Sequence, residues 1–520
     1  MKMSTVAMEP SPRSEVMAKY NQNVEQRAKD PDYIFYDGED LRDLDTEADL
    51  VVLSSDTQQH PRNWPNKKKW TVTLLVGAYC FLAPFTSTIF APSLSSVMAD
   101  TNETDPTKAA LHIAMFLIAF AVAPIFLAPL SEMYGRSVVL RCGNLAFAAF
   151  CLGSGFCQTT SQLVVCRFFA GMGGSAALAI MGGVLSDIWN LEERGAASGA
   201  LGTAIVMGPV LGPVCGGWMS QRASWRWTCW VPAIAAVVVE VISIFSMDES
   251  YAPTLLKREL ERQKKQRPDA KLYTVLDLHS KDGKAAISLF ESASRPIMYL
   301  LLDPALLLLS IYYGFVFGVL YLVIVTFQRV FGEGYGHSPG IVGADMCSEG
   351  IGAVLGMVGT TKLLGVIYRR QIKSESYKTE SRLISAYAGA LLVGTGLLIY
   401  GFTALKVHFV VPLIGIVLFS SGMTNAYLAI QLYIIDSYEY SASAIAGLSV
   451  LRCLFAGVFP LFGDQLFDSL GVNWGVGLLA LLSLGLGLPF LPLIYVYGPR
   501  LRDVGKRNRR RVFESDMAKM

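Results

Sequence analysis

The chain has 520 residues, 52% of them hydrophobic and only 17% charged, well below the ~25% charge of a soluble domain. Its 44 basic and 42 acidic residues leave a net charge of +2, too small to argue for a nucleic-acid partner, and no GxxxxGK[ST] phosphate loop points to an ATP-driven machine. Such a composition belongs in lipid.

Residues 1–66 are polar and mixed in charge, with acids gathered between Asp37 and Asp49, and they lack the apolar core of a cleavable signal peptide. They read as a flexible cytosolic tail. Beyond them, apolar stretches of about 20 residues recur, the length that crosses a ~30 Å hydrocarbon core as helix. Twelve are expected, at roughly 70–91, 109–130, 138–157, 163–185, 196–219, 227–247, 301–327, 340–367, 383–404, 408–435, 444–467 and 474–497. The fold class expected is therefore an all-α membrane protein of twelve transmembrane helices. A connection at 248–296 separates two six-helix halves, 67–247 and 297–498, and 499–520 forms a basic tail. The run 257–265 in the central loop reads as a solvated helix.

Orientation follows from the bases in short connections. Lys67, Lys68 and Lys69, Arg136 and Arg141, the link from Lys257 to Arg295, Arg369, Arg370 and Lys373, and the 500–511 tail share one side of a twelve-span chain. Both termini are thus expected in the cytosol. The opposite side carries the sequon Asn102-Glu103-Thr104, with Asn102 the candidate glycosylation site. The nine cysteines lie almost entirely inside spans, without metal or disulfide spacing, and read as packing residues. No metal site is expected.

Between the second and third spans, one tight connection brings together Glu132, Gly135 and Arg136; the glycine permits a sharp turn and the charges can pair with helix ends or neighbouring spans. In the fourth span Arg167 shares a face with Gly171, Gly174 and Gly182. A charge at this depth costs several kcal/mol unless it faces protein or water, so Arg167 should point inward. The fifth span carries Gly208, Gly212 and Gly216 at four-residue intervals with Pro209 and Pro213 between them, a flat stripe for close helix contact in a bent span. Residues placed to line a path are Thr86, Ser87 and Thr88 in the first span, Tyr312, Tyr313 and Tyr321 in the seventh, and Asn425, Tyr427, Gln431 and Tyr433 in the tenth. Tyrosines with few fixed charges suit a flat or amphipathic small molecule, although each also suits helix packing. Glu240 and Glu349 are the clearly intramembrane acids, too few for a dedicated polyamine site and consistent with a neutral, aromatic or weakly acidic cargo. His112, His337 and His408 stand isolated at span ends and no nucleophile–base pair recurs, so an enzyme is not expected.

At these residues the chain resembles the major facilitator superfamily, and within it the twelve-span drug:proton antiporters. Leu130-Ser-Glu-Met-Tyr-Gly-Arg136 matches the family's loop motif with Glu132 in place of aspartate, Ala128 in place of the leading glycine and Ser137 in place of a second base. Arg167-Phe-Phe-Ala-Gly-Met-Gly-Gly174 is similar to the fourth-span motif, with Ala170 where glutamine is common. Gly208-Pro-Val-Leu-Gly-Pro-Val-Cys-Gly-Gly217 is similar to the fifth-span antiporter motif, which uptake carriers generally lack. Asn63-Trp-Pro-Asn-Lys-Lys-Lys-Trp70, Asp187 with Arg194, Ser224-Trp-Arg-Trp227, Glu249-Ser-Tyr-Ala-Pro253 and Tyr433-Ile-Ile-Asp-Ser-Tyr438 look like the fungal branch of polyamine, multidrug and toxin exporters.

The resemblance implies the major facilitator fold, with Glu132, Gly135, Arg136, Asp187 and Arg194 as a conformational gate. It further implies proton-coupled export of a small organic molecule, a secondary metabolite or toxin with drugs as a further class, by alternating access. The proton gradient is the only cofactor implied. The expected setting is a monomer in the lipid bilayer of the plasma membrane, or of a vacuolar or vesicular membrane. The family often couples protons through an acid in the first span, and none is present here. Glu349 is the expected substitute, about ten residues into the eighth span on a face with Gly352 and Gly356; Glu240 is the rival and Arg167 a competing charge. Uptake or facilitated movement of a nutrient, polyamine or organic acid, and a non-transporting receptor, are the alternatives.

Overall fold

The computed structural model describes residues 35–36, 50–51, 53–54, 60–190, 193–268, 273–274, 294–373, 378–438 and 441–517. Eleven of the helices among them are long and apolar enough to cross a membrane. The last, Ser443–Arg509, has 67 residues, roughly 100 Å of helix at 1.5 Å per residue against a ~30 Å hydrocarbon core. Gly471, at φ 69° and ψ 165°, breaks it in two. The twelve spans are thus Asn66–Thr88, Pro106–Tyr134, Arg136–Ser154, Thr160–Ile188, Arg194–Arg222, Trp227–Ser246, Pro304–Phe327, Cys347–Lys373, Leu383–Thr403, Val410–Ser437, and the two arms on either side of Gly471. A π-helix, Gln328–Gly334, extends the seventh span, and a short helix, Pro339–Asp345, leads into the eighth. The end of the N-terminal tail is not loose: Trp64 is buried and Lys68 lies 4.3 Å over its ring. Two-residue parallel strands pair Leu50–Val51 with Tyr273–Thr274 in the central loop.

Helix pairing repeats between the halves, more clearly than the sequence does. In the first half the packed pairs are first with fifth, second with fourth, third with fourth and third with sixth; in the second half they are seventh with eleventh, eighth with tenth, ninth with tenth and ninth with twelfth. Small residues set the closest crossings. A Cβ on Gly143 would lie 3.0 Å from the Gly173 carbonyl oxygen, and one on Gly389 2.7 Å from that of Gly422.

The two faces of the bundle differ. At the face opposite the termini, one apolar core joins the second half to Ala91, Leu94, Ala109, Ile113 and Leu117 of the first. At the face that carries the termini, the first half has its own core around Val72, Ile180, Trp189 and Leu201, without a residue of the second half. The halves are therefore joined at the far face and apart at the terminal face.

The fifth-span stripe serves that closure in two ways. Gly208, Gly212 and Gly216 lie on the first span, where added Cβ atoms would meet Phe85 N at 2.8 Å, Thr88 Oγ1 at 2.4 Å and Ile89 O at 1.9 Å. Gly217 instead crosses to the other half, its Cβ position 2.3 Å from the Pro339 carbonyl oxygen. Gly199, in the same span, has open space around it. Gly212→Leu is expected to lower the thermal midpoint and the yield of folded protein, an overpacking cost of about 1–3 kcal/mol or more, while Gly199→Leu leaves both unchanged. Thermal unfolding monitored in detergent compares the two.

Candidate functional site

Between the halves lies a cavity of about 1580 Å³ that both halves line. Pro129, Ser198, Pro296, Lys378, Arg382 and Asp436 place its mouth at the terminal face. Its depth is aromatic. The seventh span contributes Tyr313, Phe317 and Tyr321 and the tenth Tyr427; Tyr313 and Tyr427 stack with centroids 5.0 Å apart and planes 23° apart. The Tyr321 hydroxyl reaches across to Ser87 Oγ at 3.1 Å, tying the seventh span to the first.

Glu349 and Gln431 line the same cavity. Gly352 and Gly356, on the Glu349 side of the eighth span, seat the helix on the tenth, with added Cβ atoms 2.4 Å from Val417 O and 2.3 Å from Ser421 O. Ser420 Oγ donates to the Glu349 backbone carbonyl at 2.6 Å, and Glu349 lines the cavity. Arg452, from the eleventh span, faces it as well. The sequence reading did not single out Arg452, although the rule applied to Arg167, that a charge inside an apolar run must face protein or water, holds equally for it.

Several expected path residues lie elsewhere, outside the cavity lining. Tyr312 is fully buried against the twelfth span, where a Cβ on Gly487 would lie 2.8 Å from its ring. Thr86 is likewise buried, its Oγ1 donating to Leu82 O at 2.7 Å. Asn425 turns to the ninth span and accepts from Ser385 Oγ at 2.8 Å. Tyr433 sits near the terminal face, accepting from Arg502 at 2.8 Å. Each span here is apolar on several sides, so no polar stripe marks which side faces the cavity.

Glu240 also lies outside the cavity. It is buried within the first half, accepting from Asn144 Nδ2 at 2.8 Å and from the Tyr79 hydroxyl at 3.1 Å. Arg167 points inward: its guanidinium lies 3.9 Å over the Phe90 ring and Nη1 donates to Thr86 O at 3.1 Å. His337, expected to be isolated, pairs with Asp345 Oδ2 at 2.5 Å on the far face. Asn102 is exposed in a far-face turn with φ 51°. Among the described residues, no group of three or more His, Cys, Asp or Glu side chains could hold a metal.

At the terminal face, Gly135 adopts φ 103° and lets the second span turn straight into the third. Arg136 then lies 3.6 Å from Asp187 Oδ2 and 3.9 Å from Glu132 Oε1, with Nη1 donating to Ser131 Oγ at 2.7 Å. Arg194 donates to Ser186 O and Trp189 O, both at 3.4 Å. All these partners belong to the first half. What fixes the turn is a residue 113 positions on. The buried Glu249 carboxylate accepts from the backbone N–H of Arg136 at 2.9 Å, Ser137 at 3.2 Å, Ser250 at 3.1 Å and Tyr251 at 3.0 Å. It caps the third span in trans, at the positive end of the helix dipole. A Cβ on Gly135 would lie 2.3 Å from Glu249 Oε2, so the glycine is demanded by both its backbone angle and the carboxylate.

The second half repeats the pair where the sequence does not suggest it. The stretch Thr361–Arg370 has no acid, yet Arg382 and Asp436 pair at 2.5 Å across the terminal-face ends of the ninth and tenth spans, as Arg136 and Asp187 do across the third and fourth.

A sequence model of the Major Facilitator Superfamily matches residues 76–460. The chain belongs to that superfamily. The curated relatives of this facilitator include the efflux pump radE of Floropilus chiversii, 35% identical over 86% of this chain and 84% of the relative. The efflux pump vrtL of Penicillium aethiopicum is 35% identical over 89% and 92%. The MFS-type transporter penM of Penicillium rubens is 34% identical over 93% and 92%. Among solved structures, the Escherichia coli xylose transporter XylE in a partially occluded inward-open conformation aligns with a TM-score of 0.55, covering 82% of this chain and 99% of its own, at 14% identity. That likeness bears on the fold alone. The facilitator described here is a multi-pass membrane transporter for small molecules, not an enzyme.

The trans cap and the charge pair separate by mutation. Glu249→Ala strips four backbone donors and should destabilise by about 2 kcal/mol or more. Glu132→Ala removes a half-exposed partner 3.9 Å from Arg136 and should cost under about 1 kcal/mol. Thermal midpoints of the two variants, measured side by side, check the order.

Proposed function

We propose that this facilitator is a proton-coupled antiporter that exports a small organic molecule, a fungal secondary metabolite or toxin with drugs as a further class, from the cytosol. The observation that carries the reading is the cavity itself: between the halves, open at the face where lysines and arginines collect, shut at the other, and lined at depth by aromatic rings and Glu349. Bases concentrate on cytosolic connections, so the open face is the cytosolic one and both termini lie there. The setting is the plasma membrane. Two curated relatives at 35% identity are named efflux pumps, which supports the outward direction.

Alternating access then needs a titratable group that the cavity exposes to each side in turn. Glu349 has that position: it lines the cavity, and its carboxyl has neither an ion-pair nor a hydrogen-bond partner among the described residues. Glu240 is held by Tyr79 and Asn144 away from it. Rocking of the halves would part the fifth and eighth spans at the far face and bring the Arg136–Asp187 and Arg382–Asp436 ends together at the cytosolic face. Arg136→Ala is accordingly expected to reach the membrane and lose most transport.

Glu349→Gln keeps the shape of the side chain and removes the titration. In inside-out vesicles with an imposed pH gradient, offered a panel of aromatic metabolites, the variant should lose gradient-driven accumulation and keep passive exchange. Proton-dependent accumulation that persists in the variant removes Glu349 from the coupling role.

A further inference from the structure

We propose that Arg452 is a docking point for an acidic group, so that this transporter's cargo includes flat aromatic acids; the inference rests on the export reading for the direction of movement, and on the cavity alone for binding. Arg452 lies within the eleventh span, Ser441–Val458, and lines the central cavity. A cation inside a membrane is costly unless something answers its charge.

Other arginines of the second half are answered by carboxylates. Arg502 meets Glu380 at 2.7 Å, Arg509 meets Asp303 at 2.9 Å and Arg382 meets Asp436 at 2.5 Å. Arg452 has no ion pair to an acid among the described residues, and its buried Nε has no hydrogen-bond partner. Its guanidinium lies instead 4.8 Å over Phe317 and 5.5 Å over Tyr427, beside the Tyr313 hydroxyl. Aromatic faces hold a guanidinium in place without neutralising it. Arg167 also lacks an acid among the described residues, but it is stacked on Phe90 outside the cavity lining.

The chemistry that fits is specific. A guanidinium presents a planar fork that takes a carboxylate by two parallel hydrogen bonds, and the low dielectric of a cavity strengthens such charge-assisted bonds. Phe317 and Tyr427, both only partly buried and both lining the cavity beside it, offer ring surface to an aromatic body. The arrangement thus recognises an ionised carboxyl, or an acidic phenol, attached to a fused or conjugated ring. Exchange of an entering proton for a leaving anion also moves charge in the direction that an inside-negative membrane potential favours.

The test uses the full chain in lipid nanodiscs with anthracene-9-carboxylate and its methyl ester, a pair of equal shape and different charge, titrated at neutral pH by fluorescence. Wild type should bind the acid about tenfold or more tighter than the ester. Arg452→Gln should weaken the acid by about ten- to a hundredfold and leave the ester within about twofold, which also shows that the variant is folded; Arg452→Lys should fall between. Equal binding of acid and ester to wild type, binding of neither, or equal loss of both in Arg452→Gln overturns the anion site. Accumulation of both probes in proton-energised inside-out vesicles is read separately. Ester and acid accumulated alike leave export standing and overturn the anion site. Arg452-dependent acid binding without proton-driven accumulation supports the anion site and overturns the export reading.

Discussion

Where the fifth span crosses the short helix that leads into the eighth, a Cβ on Gly217 would sit 2.3 Å from the Pro339 carbonyl oxygen, and one on Gly343 2.4 Å from that of Pro213. Here the backbones of the two halves meet with no side chain between them. Gln221 Oε1 adds an accepted bond from the Gly340 N–H at 3.1 Å. Contacts of this kind hold by close van der Waals approach and a few hydrogen bonds, since lipid removes the hydrophobic drive between helices. They can be broken without stranding a charge in the membrane. Gly217 and the Pro213 backbone of the fifth span thus form, with the second half, a seam that seals tightly and parts cheaply.

Charge is used at the other face. Arg136 with Asp187 in the first half and Arg382 with Asp436 in the second stand at equivalent helix ends. Each pair stays within its own half while the cavity is open there. Arg136 is largely buried and the Arg382 and Asp436 side chains are half-buried, each pair at the terminal-face ends of its spans. Apolar seam on one side and polar mouth on the other give the two faces different chemistries.

The spans were legible because lipid leaves the chain no alternative to a run of apolar residues long enough to cross it. The turn at Gly135 was legible because glycine between opposite charges has a local cause. Its partner was not: Glu249 acts from 113 residues away through backbone amides, and a bond to backbone leaves no pattern in side-chain identity. Helix faces were the weakest inference. Tyr312 and Tyr313 are neighbours in sequence, yet one packs on the twelfth span and the other lines the cavity. The internal repeat hid for a related reason, since it resides in which helices touch and in small residues at the crossings. The charge pair of the second half joins Arg382 to a residue 54 positions on, after an eighth-to-ninth connection unlike that between the second and third spans.

Beyond Gly471 the twelfth span continues without a described break to Met517, roughly 70 Å of helical path at 1.5 Å per residue. Arg502 fastens it to Glu380, Tyr433 and Ser437, and Arg509 to Asp303, at the terminal ends of the ninth, tenth and seventh spans. The tail is therefore a rod bolted to one half of the molecule. A fluorophore on that rod travels with the second half as a rigid body, and a second one beside Trp64 travels with the first. The separation between the two dyes becomes a ruler for the rocking of single molecules, readable without knowing the cargo.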